Sequence, residues 1–269
     1  MCVTNAGSSG RTLSVKLTSL LETKNLTKDF GGLVAVKNVT FRLHNGEVLG
    51  LIGPNGAGKT TLFNLVTGIE KPDSGDVLFE GRSIRKLLPH SICKLGISRT
   101  YQSVRPFLNH TVKDNIRVGA IYGRPYDDET SPGEKVDEIL DLLGLEQRAE
   151  ILAKHLPIEE RKAVEVGRAL AANPKLLMLD EPMAGLNPSE VARFVRLIRK
   201  LNEEKGLSIL IVEHVMKAIQ SACGRVVVLH HGEMLAEGTP DQVLTNERVI
   251  QVYLGESYSK QQSSSSSSK

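Results

Sequence analysis

The stretch GPNGAGKT, residues 53–60, has the residue types and spacing of a phosphate-binding loop. It follows the apolar run EVLGLI and precedes the helix-period run TTLFNLVTG, the order of strand, loop and helix that such a loop requires. Glycines allow backbone N–H groups to surround a phosphate, Lys59 can reach the β- and γ-phosphates, and the Thr60 hydroxyl can ligate Mg²⁺. Thr61 is placed to contact the α-phosphate. The predicted nucleotide-binding residues here are Gly53, Pro54, Asn55, Gly56, Ala57, Gly58, Lys59, Thr60 and Thr61.

An acidic pair ends the apolar run in LLMLDEP, residues 176–182. Asp180 can enter the magnesium shell, and Glu181 can polarise a water molecule for in-line attack on the γ-phosphate. Taken alone, such a pair is usually only the end of a strand. Together with the phosphate loop, it predicts hydrolysis of a nucleoside triphosphate with Glu181 as the catalytic carboxylate.

A histidine, His214, follows another apolar run in SILIVEHVMKAI. In that place it could sense or stabilise the γ-phosphate. As an isolated feature it is more often a half-exposed loop histidine, so the spacing alone does not assign it a role.

The elements that must position these residues alternate between apolar runs of strand length and helix-period segments. In the runs EVLGLI, LLMLD, SILIVE and RVVVLHHG the apolar residues are continuous rather than alternating, which favours a parallel α/β sheet covered by helices on both faces. One helix is predicted in detail: Asn187 caps it, Pro188 and Glu190 occupy its first turn, and Gly206 ends it. Residues from about 105 to 156 look helical without a buried strand, which indicates an inserted helical lobe.

Composition excludes several other classes of protein. The 34 basic and 31 acidic residues among 269 form no basic stripe, so nucleic acid is not favoured as a partner. Three widely spaced cysteines, Cys2, Cys93 and Cys223, suggest neither a disulfide framework nor a zinc site. No run of 18 apolar residues is present, so any membrane crossing is expected to fall to another chain.

With these motifs in place, the chain resembles the nucleotide-binding subunit of an ATP-binding cassette (ABC) transporter over roughly residues 22–255. The resemblance implies a P-loop NTPase (RecA-like) core with a parallel sheet, an N-terminal antiparallel β subdomain and an inserted helical subdomain at about 105–165. We expect the cassette to occupy 21–256, between a flexible extension at 1–20 and a disordered serine-rich tail at 257–269.

Family roles transfer where residues match. Gln102, in RTYQSVRPF, matches the glutamine that contacts magnesium and couples to the membrane subunit. Phe30 matches the aromatic residue that stacks on adenine, although as a bare feature it could equally be core packing. His214 matches the switch histidine, which reverses its isolated interpretation. The loop AGLNP, Ala184 to Pro188, matches the one that meets the opposite subunit.

Segments such as FGGLVAVKNVTF, LGISRTYQ and the ending AEGTPDQVLTNERVIQVYLGE are similar to the ATPases of branched-chain (hydrophobic) amino acid importers. That resemblance implies ATP and Mg²⁺ as ligands, integral membrane permease subunits, a second ATPase subunit and, indirectly, a periplasmic or extracellular solute-binding protein. It also implies a peripheral position on the cytoplasmic face of the inner or plasma membrane. Amides, urea and aromatic acids stay open as alternative solutes.

One segment departs from the family pattern. The L-S-G-G-Q-like signature lies fourteen residues before the last leucine of GRAL, Leu170, and therefore falls on Leu156 to Glu160, which read LPIEE. Pro157 removes a hydroxyl and a backbone donor, while Glu159 and Glu160 add acids. A carboxylate about 5 Å from a phosphate charge costs on the order of 3 kcal/mol at an effective dielectric near 20. Outward rotation of these side chains, or a salt bridge to Arg161 or Lys162, could relieve part of this cost. The alternative is a tolerated variant in which Glu159 and Glu160 form a solvated helix start, where the helix dipole favours acids.

The odd signature beside an intact phosphate loop predicts an asymmetric ATPase pair, which favours a heterodimer over a homodimer. An alternative is an ATP-binding clamp or regulatory subunit with impaired hydrolysis, although Glu181 and His214 argue against it. Soluble ABC ATPases that act on ribosomes or DNA form a third class. They typically carry two cassettes or a long coiled-coil insertion, which this chain lacks.

Overall fold

A computed structural model describes residues 19–102, 106–126 and 131–253. The strands are β1 (Ser19–Asp29), β2 (Val34–Val39), β3 (Arg42–His44), β4 (Val48–Ile52), β5 (Ser74–Phe79), β6 (Arg82–Ser83), β7 (Ile97–Arg99), β8 (Leu176–Asp180), β9 (Ser208–Val212), β10 (Arg225–His230) and β11 (Glu233–Gly238). The helices are α1 (Lys59–Val66), α2 (Pro89–Leu95), α3 (Val112–Tyr122), α4 (Pro132–Leu143), α5 (Ile158–Ala171), α6 (Pro188–Lys205), α7 (Met216–Ala222) and α8 (Pro240–Leu244). Short 3-10 turns occupy Glu146–Arg148 and Ala153–His155.

The predicted extension and tail lie outside the described residues, except that β1 already includes Ser19 and Leu20. Leu20 is fully buried, so residues 19 and 20 are part of β1 although they fall within the range of the expected extension.

The central sheet has six strands in the order β11-β10-β4-β9-β8-β7. All neighbours are parallel except β11, which runs antiparallel to β10 at one edge. Because β4, β9 and β8 are adjacent and parallel, their carboxyl ends meet at one edge of the sheet. The phosphate loop, His214 and the acidic pair follow those three strands, so the topology brings them together.

A second, antiparallel sheet is built around β1, which pairs with β2, β3 and β5. The predicted α/β fold class is confirmed in all three parts: a parallel core, an antiparallel β subdomain at the N-terminal side and a helical insertion.

Two apolar clusters cover the two faces of the central sheet. In β8, Leu176 and Met178 belong to the cluster shared with the antiparallel sheet. Leu177 and Leu179 belong to the cluster shared with helices α3 to α7. Both faces of the strand are therefore buried, which is the reason its sequence is apolar at every position before Asp180.

The helical lobe consists of α3, α4 and the first part of α5, which pack through residues such as Ile116, Ile139 and Val164. Ser131 and Glu134 form a capping box that starts α4. Among the described residues, no helix combines the length and apolar character that crossing a membrane requires.

Helix α6 begins and ends as predicted. The Asn187 side chain accepts hydrogen bonds from the backbone amides of Ser189 and Glu190, Pro188 stands in the first turn, and Gly206 ends the helix in a left-handed conformation.

Candidate nucleotide site

The phosphate loop connects the buried end of β4 to the first turn of α1. The Lys59 ammonium is buried and donates to the carbonyl oxygens of Gly53 at 2.7 Å and Pro54 at 2.8 Å. The lysine therefore lies across the loop, with its charge directed to the space that the loop encloses. The first turn of α1 contains no acidic residue. Its amide groups and this lysine are together suited to binding an anion.

Two glycines allow the phosphate loop to pass close to neighbouring backbone. Gly53 and Gly58 have φ angles of 153° and 99°. A Cβ atom on Gly53 would lie 2.2 Å from the Leu229 carbonyl oxygen, and one on Gly58 would lie 2.3 Å from the Ala35 carbonyl oxygen. Only glycine fits at either position, because a side chain would clash with backbone that cannot move away.

Asp180, at the end of β8, presents a free oxygen within a buried environment. Its Oδ2 atom lies 3.1 Å from Nη2 of Arg99, and its Oδ1 atom is buried without a hydrogen-bond partner among the described residues. Burial raises the pKa of this carboxyl group, and the Arg99 guanidinium opposes that shift. A buried, unpartnered carboxylate oxygen next to the phosphate loop has the chemistry expected of a metal ligand.

The residues present fit a magnesium ion held jointly with a nucleotide. Within the described ranges, no group of three His, Cys, Asp or Glu side chains could hold a metal. Mg²⁺ commonly takes only one or two ligands from a protein and the others from phosphate and water. The Thr60 hydroxyl, the Asp180 carboxylate and the Gln102 amide oxygen are the oxygen donors that could supply the protein's share.

Glu181 is held between two other predicted site residues. Its Oε2 atom accepts a hydrogen bond from Gln102 Nε2 at 3.0 Å, and its Oε1 atom lies 3.0 Å from His214 Nε2. The Glu181 backbone is in the left-handed region, with φ at 49°. A carboxylate fixed from both sides at the edge of the phosphate loop is suited to orienting a water molecule.

A cleft of about 450 Å³ opens beside the loop. Phe30, which is 47% exposed, lies in its wall, and the Lys28 ammonium is 5.1 Å from the centre of its ring. An exposed aromatic ring at the mouth of a phosphate site is suited to stacking on a base. The cleft is lined by Phe30, Leu33, Val34, Ala35, Asn55, Gly56, Ala57, Gly58, Lys59, Thr60, Thr61, Gln102, Glu181 and His231.

The structure thus brings the predicted residues to one edge of the sheet. Phe30, Gln102 and Glu181 line the same cleft as the loop. Asp180 directly precedes Glu181 in the sequence, and His214 contacts Glu181. The sequence reasoning did not identify Arg99, the partner of Asp180, or His231 in the wall of the cleft. Neither residue belongs to a motif with recognisable spacing. Arg99 reaches the site because it ends β7, and His231 because it follows β10.

The signature segment differs from expectation in its ion pairs. Glu159 Oε1 lies 2.7 Å from Arg193 Nη2 of α6, and Glu160 Oε1 lies 3.5 Å from Arg148 Nε. Of the two expected forms of relief, the salt bridge to Arg161 or Lys162 is wrong, because both of these side chains donate to backbone carbonyl groups instead. Arg161 donates to the carbonyls of Leu156 and Lys154, and Lys162 to those of Pro182 and Ala184.

A phosphate loop at the carboxyl edge of a parallel sheet, with an acidic pair on a neighbouring strand, defines a P-loop nucleoside triphosphatase. Comparison with known proteins narrows this class. The chain matches the family model described as ABC transporter over residues 36–184. It also matches the model described as branched-chain amino acid ATP-binding cassette transporter over residues 233–259.

Two curated relatives and one solved structure extend over nearly the whole domain. The chain is 38% identical to the high-affinity branched-chain amino acid transport ATP-binding protein LivG of Escherichia coli (strain K12), over 88% of this chain and 98% of LivG. It is 35% identical to the lipopolysaccharide export system ATP-binding protein LptB of Haemophilus influenzae, over 89% of this chain and 99% of LptB. The ADP conformation of MJ1267, an ATP-binding cassette of an ABC transporter, aligns with a TM-score of 0.80 and 33% identity, over 88% of this chain and 99% of that one.

The chain is an ATP-binding cassette ATPase. It belongs to the ABC transporter family, in the branch that contains LivG and the similar protein BraF of Pseudomonas aeruginosa. The resemblance noted from its motifs is confirmed. Such ATPase subunits of transporters work with membrane permease components.

Proposed function

We propose that this chain hydrolyses ATP to power uptake of branched-chain and other hydrophobic amino acids through separate membrane subunits. The observation that carries the proposal is the match of residues 233–259 to the branched-chain amino acid cassette model. Over similar shares of the chain, the identity is 38% to LivG and 35% to LptB, a lipopolysaccharide export protein. Overall identity therefore separates the two kinds of cargo only weakly, and the family match of the terminal segment is the observation that favours amino acids.

In this proposal, Glu181 polarises the attacking water molecule while Gln102 and His214 hold its carboxylate in place. The two contacts of 3.0 Å support these roles, because they restrict both oxygens of Glu181. The phosphate loop from Gly53 to Thr61 binds the phosphates, and Phe30 stacks on adenine. Electrostatic stabilisation and positioning account for most of the catalysis of phosphoryl transfer.

Thr60, Asp180 and Gln102 would hold Mg²⁺ together with the β- and γ-phosphates. A bound magnesium ion neutralises charge that develops on the phosphate oxygens. The buried, unpartnered Oδ1 atom of Asp180 supports this assignment, since desolvating a carboxylate oxygen without a partner is costly.

The membrane subunits would dock on the groove between the sheet core and the helical lobe. This subdomain groove has a volume of about 320 Å³, and Ile69, Pro89, Cys93, Tyr101, Val118 and Tyr122 contribute to its walls. Tyr122 is 72% exposed, Tyr101 47% and Ile69 42%. A cluster of exposed apolar side chains favours an interface, and docking there would position the chain on the cytoplasmic face of the membrane.

A second ATPase subunit would complete the composite sites. The signature from Leu156 to Glu160 lacks the serine and glycines that grip a γ-phosphate, while the chain's own phosphate loop is intact. ATP held by Lys59 and a partner's ordinary signature would be hydrolysed efficiently. ATP held by the partner and completed by LPIEE would turn over slowly, which favours a heterodimer. A periplasmic or extracellular binding protein would deliver the solute.

Uptake by cells tests the cargo. Cells that lack this chain should lose uptake of labelled leucine, isoleucine and valine, and the wild-type gene should restore it. The variant Glu181→Gln should not restore uptake, although it should still be recovered with the membrane fraction. Normal leucine uptake in the deletion strain, together with loss of an amide or urea, would reassign the solute.

A second candidate is an ATP-binding clamp whose hydrolysis is impaired. The specific observation in its favour is the pair of acids in the first turn of α5, where the family uses amides to bind phosphate. Turnover of the purified chain against protein concentration separates the two candidates. Tight ATP binding without turnover, even after membrane subunits and a second ATPase are added, would support the clamp.

A further inference from the structure

Two buried residues of opposite charge hold the backbone segment that follows Glu181. Lys162 of α5 donates from Nζ to the carbonyl oxygen of Pro182 at 3.0 Å and to that of Ala184. Between these carbonyl groups, the Met183 amide donates to Glu213 Oε1 at 2.7 Å. The segment Pro182–Ala184 is therefore held from one side by a cation and from the other by an anion.

Burying these two charged side chains costs desolvation free energy, which apolar side chains at the same positions would not. Lys162 is 7% exposed and Glu213 is 1% exposed. Burial lowers the pKa of Lys162 and raises that of Glu213, and the attraction between the two charges opposes both shifts. Buried charges are usually paired or hydrogen-bonded, and removal of one partner leaves the other without compensation.

The segment they hold determines where Glu181 is directed. Glu181 has a φ of 49°, a conformation that a glutamate adopts only when its surroundings enforce it. Its carbonyl accepts from the Ala184 amide at 3.2 Å, so the held segment closes directly onto Glu181. Releasing the segment would let the Glu181 backbone relax and would draw its carboxylate away from Gln102 and His214.

The two charged residues also connect Glu181 to helix α5 and to His214. Lys162 is in the first turns of α5, immediately after the signature segment that is expected to meet ATP on the opposite subunit. Glu213 directly precedes His214, and its Oε2 atom accepts from the His214 amide at 3.1 Å. A shift of α5 would therefore be transmitted to the turn that orients Glu181 and to the histidine that contacts it.

We propose that Lys162 and Glu213 are positioning residues that keep Glu181 in its hydrolytic orientation and make that orientation depend on the position of α5. This inference rests on the proposed role of Glu181 in ATP hydrolysis. It assigns no contact with ATP to either residue. It predicts that turnover falls when either charge is removed, while nucleotide binding is retained.

The test compares the variants Lys162→Met and Glu213→Gln with wild type in the full-length chain. Hydrogen exchange of the amides of residues 183–186, measured without nucleotide, should become about tenfold faster or more. Exchange in α6 and in the phosphate loop should not change. The kcat for ATP should fall about tenfold to a hundredfold, because small misplacements of catalytic groups have effects of that size, and KM should stay within about twofold.

Two further variants complete the design. Lys162→Arg keeps a cation and its donors, and we expect it to retain most of the wild-type kcat. Lys113→Met removes a lysine of the helical lobe that pairs with Asp137, and neither exchange at 183–186 nor kcat should change. If Lys162→Met does not fold, Glu213→Gln and Lys162→Arg still test the inference.

The outcomes separate this inference from the proposed function. Unchanged exchange at 183–186 in Lys162→Met would overturn the positioning role, as would faster exchange with an unchanged kcat. If Glu181→Gln itself retained full turnover, the proposed function of Glu181 would fail. In that case the exchange data would still report separately whether the two charges hold the segment.

Discussion

The two helix starts that handle phosphate in this family are built in opposite ways in this chain. Helix α1 follows a glycine in the left-handed conformation, contains no acid in its first turn, and has Lys59 beside it. Helix α5 follows Pro157, lacks a side-chain cap, and carries Glu159 and Glu160 in its first turn. The first helix start is arranged to receive an anion, whereas the second already contains two.

The difference between the two first turns shows that a helix dipole can either be used to stabilise the helix or be left available to bind phosphate. Acids in a first turn stabilise the helix, typically by about 0.3–1 kcal/mol each. The same acids repel a phosphate by more than that at short range. Here Arg193 and Arg148 lie against the two acids, so the repulsion is reduced without the phosphate-binding groups being restored. We therefore expect the chain to bind and hydrolyse its own ATP better than it completes a partner's site.

The largest expected effect on turnover comes from the chain's own ATP site, where the phosphate loop is intact. Glu181→Gln should lower kcat by about a thousandfold, because general-base assistance contributes about 10² to 10⁴ in rate. ATP affinity should be retained, since the phosphate loop is unchanged. Phosphate release and binding of a fluorescent ATP analogue measure the two quantities. The exposed acid Glu203 of α6 supplies a control: Glu203→Gln should match wild type, and equal losses in both variants would contradict the comparison.

Repairing the signature half should have the next largest effect, in the opposite direction. Pro157→Ser with Glu159→Gly should raise ATP turnover of the assembled transporter about tenfold or more, because it removes one charge and restores two donors. Steady-state phosphate release by the complete complex measures this. An unchanged rate would mean that LPIEE already completes a site, and the asymmetry would be abandoned.

The ion pair between Glu159 and Arg193 offers a sharper test. Arg193→Met leaves the Glu159 charge uncompensated and should lower turnover of the complex about threefold to fivefold. The effect should be this small because the ion pair is partly exposed and its interaction energy is modest. In a Glu159→Gly background the same arginine substitution should have no effect. Turnover measured across this double-mutant cycle gives the coupling, and an equal loss in both backgrounds would assign Arg193 another role.

The smallest expected effect concerns the base. Phe30→Ala should weaken ATP binding about threefold to tenfold and leave kcat unchanged, because aromatic stacking contributes about 0.5–1.5 kcal/mol. Phe30→Leu keeps an apolar side chain without a ring, and it should lose nearly as much affinity. Titration with ATP and with tripolyphosphate checks the assignment, since tripolyphosphate has no base and its affinity should not respond to either change.

Part of the fold was predictable because its signals were local. Continuous apolar runs identified β4, β8, β9 and β10, the capping box of Asn187 and Glu190 identified the start of α6, and the motif at 53–60 identified the phosphate loop. The antiparallel subdomain was expected only from the family resemblance. Gln102 and His214 became site residues only through resemblance, since a lone glutamine or histidine carries no pattern. The structure then explains their proximity, because each follows a strand of the same sheet, and strands β9 and β8 pair in register.

The partners of charged residues were less predictable. The sequence offered the adjacent Arg161 or Lys162 as one possible partner for Glu159 and Glu160, whereas the structure pairs these acids with Arg193 and Arg148. Neighbours along a helix start point in different directions, so closeness in sequence does not ensure contact.

The sequence by itself determined which residues of this protein could bind and cleave ATP, because a phosphate loop and an acidic strand end are encoded within a few consecutive positions. It also determined that α5 would start with acids. Only the tertiary structure decided what those acids contact, that Lys162 and Glu213 enclose the turn after Glu181, and that Asp180 retains a free oxygen. Those outcomes depend on side chains from elements far apart in the chain, and packing of the lobe against the sheet brings them together.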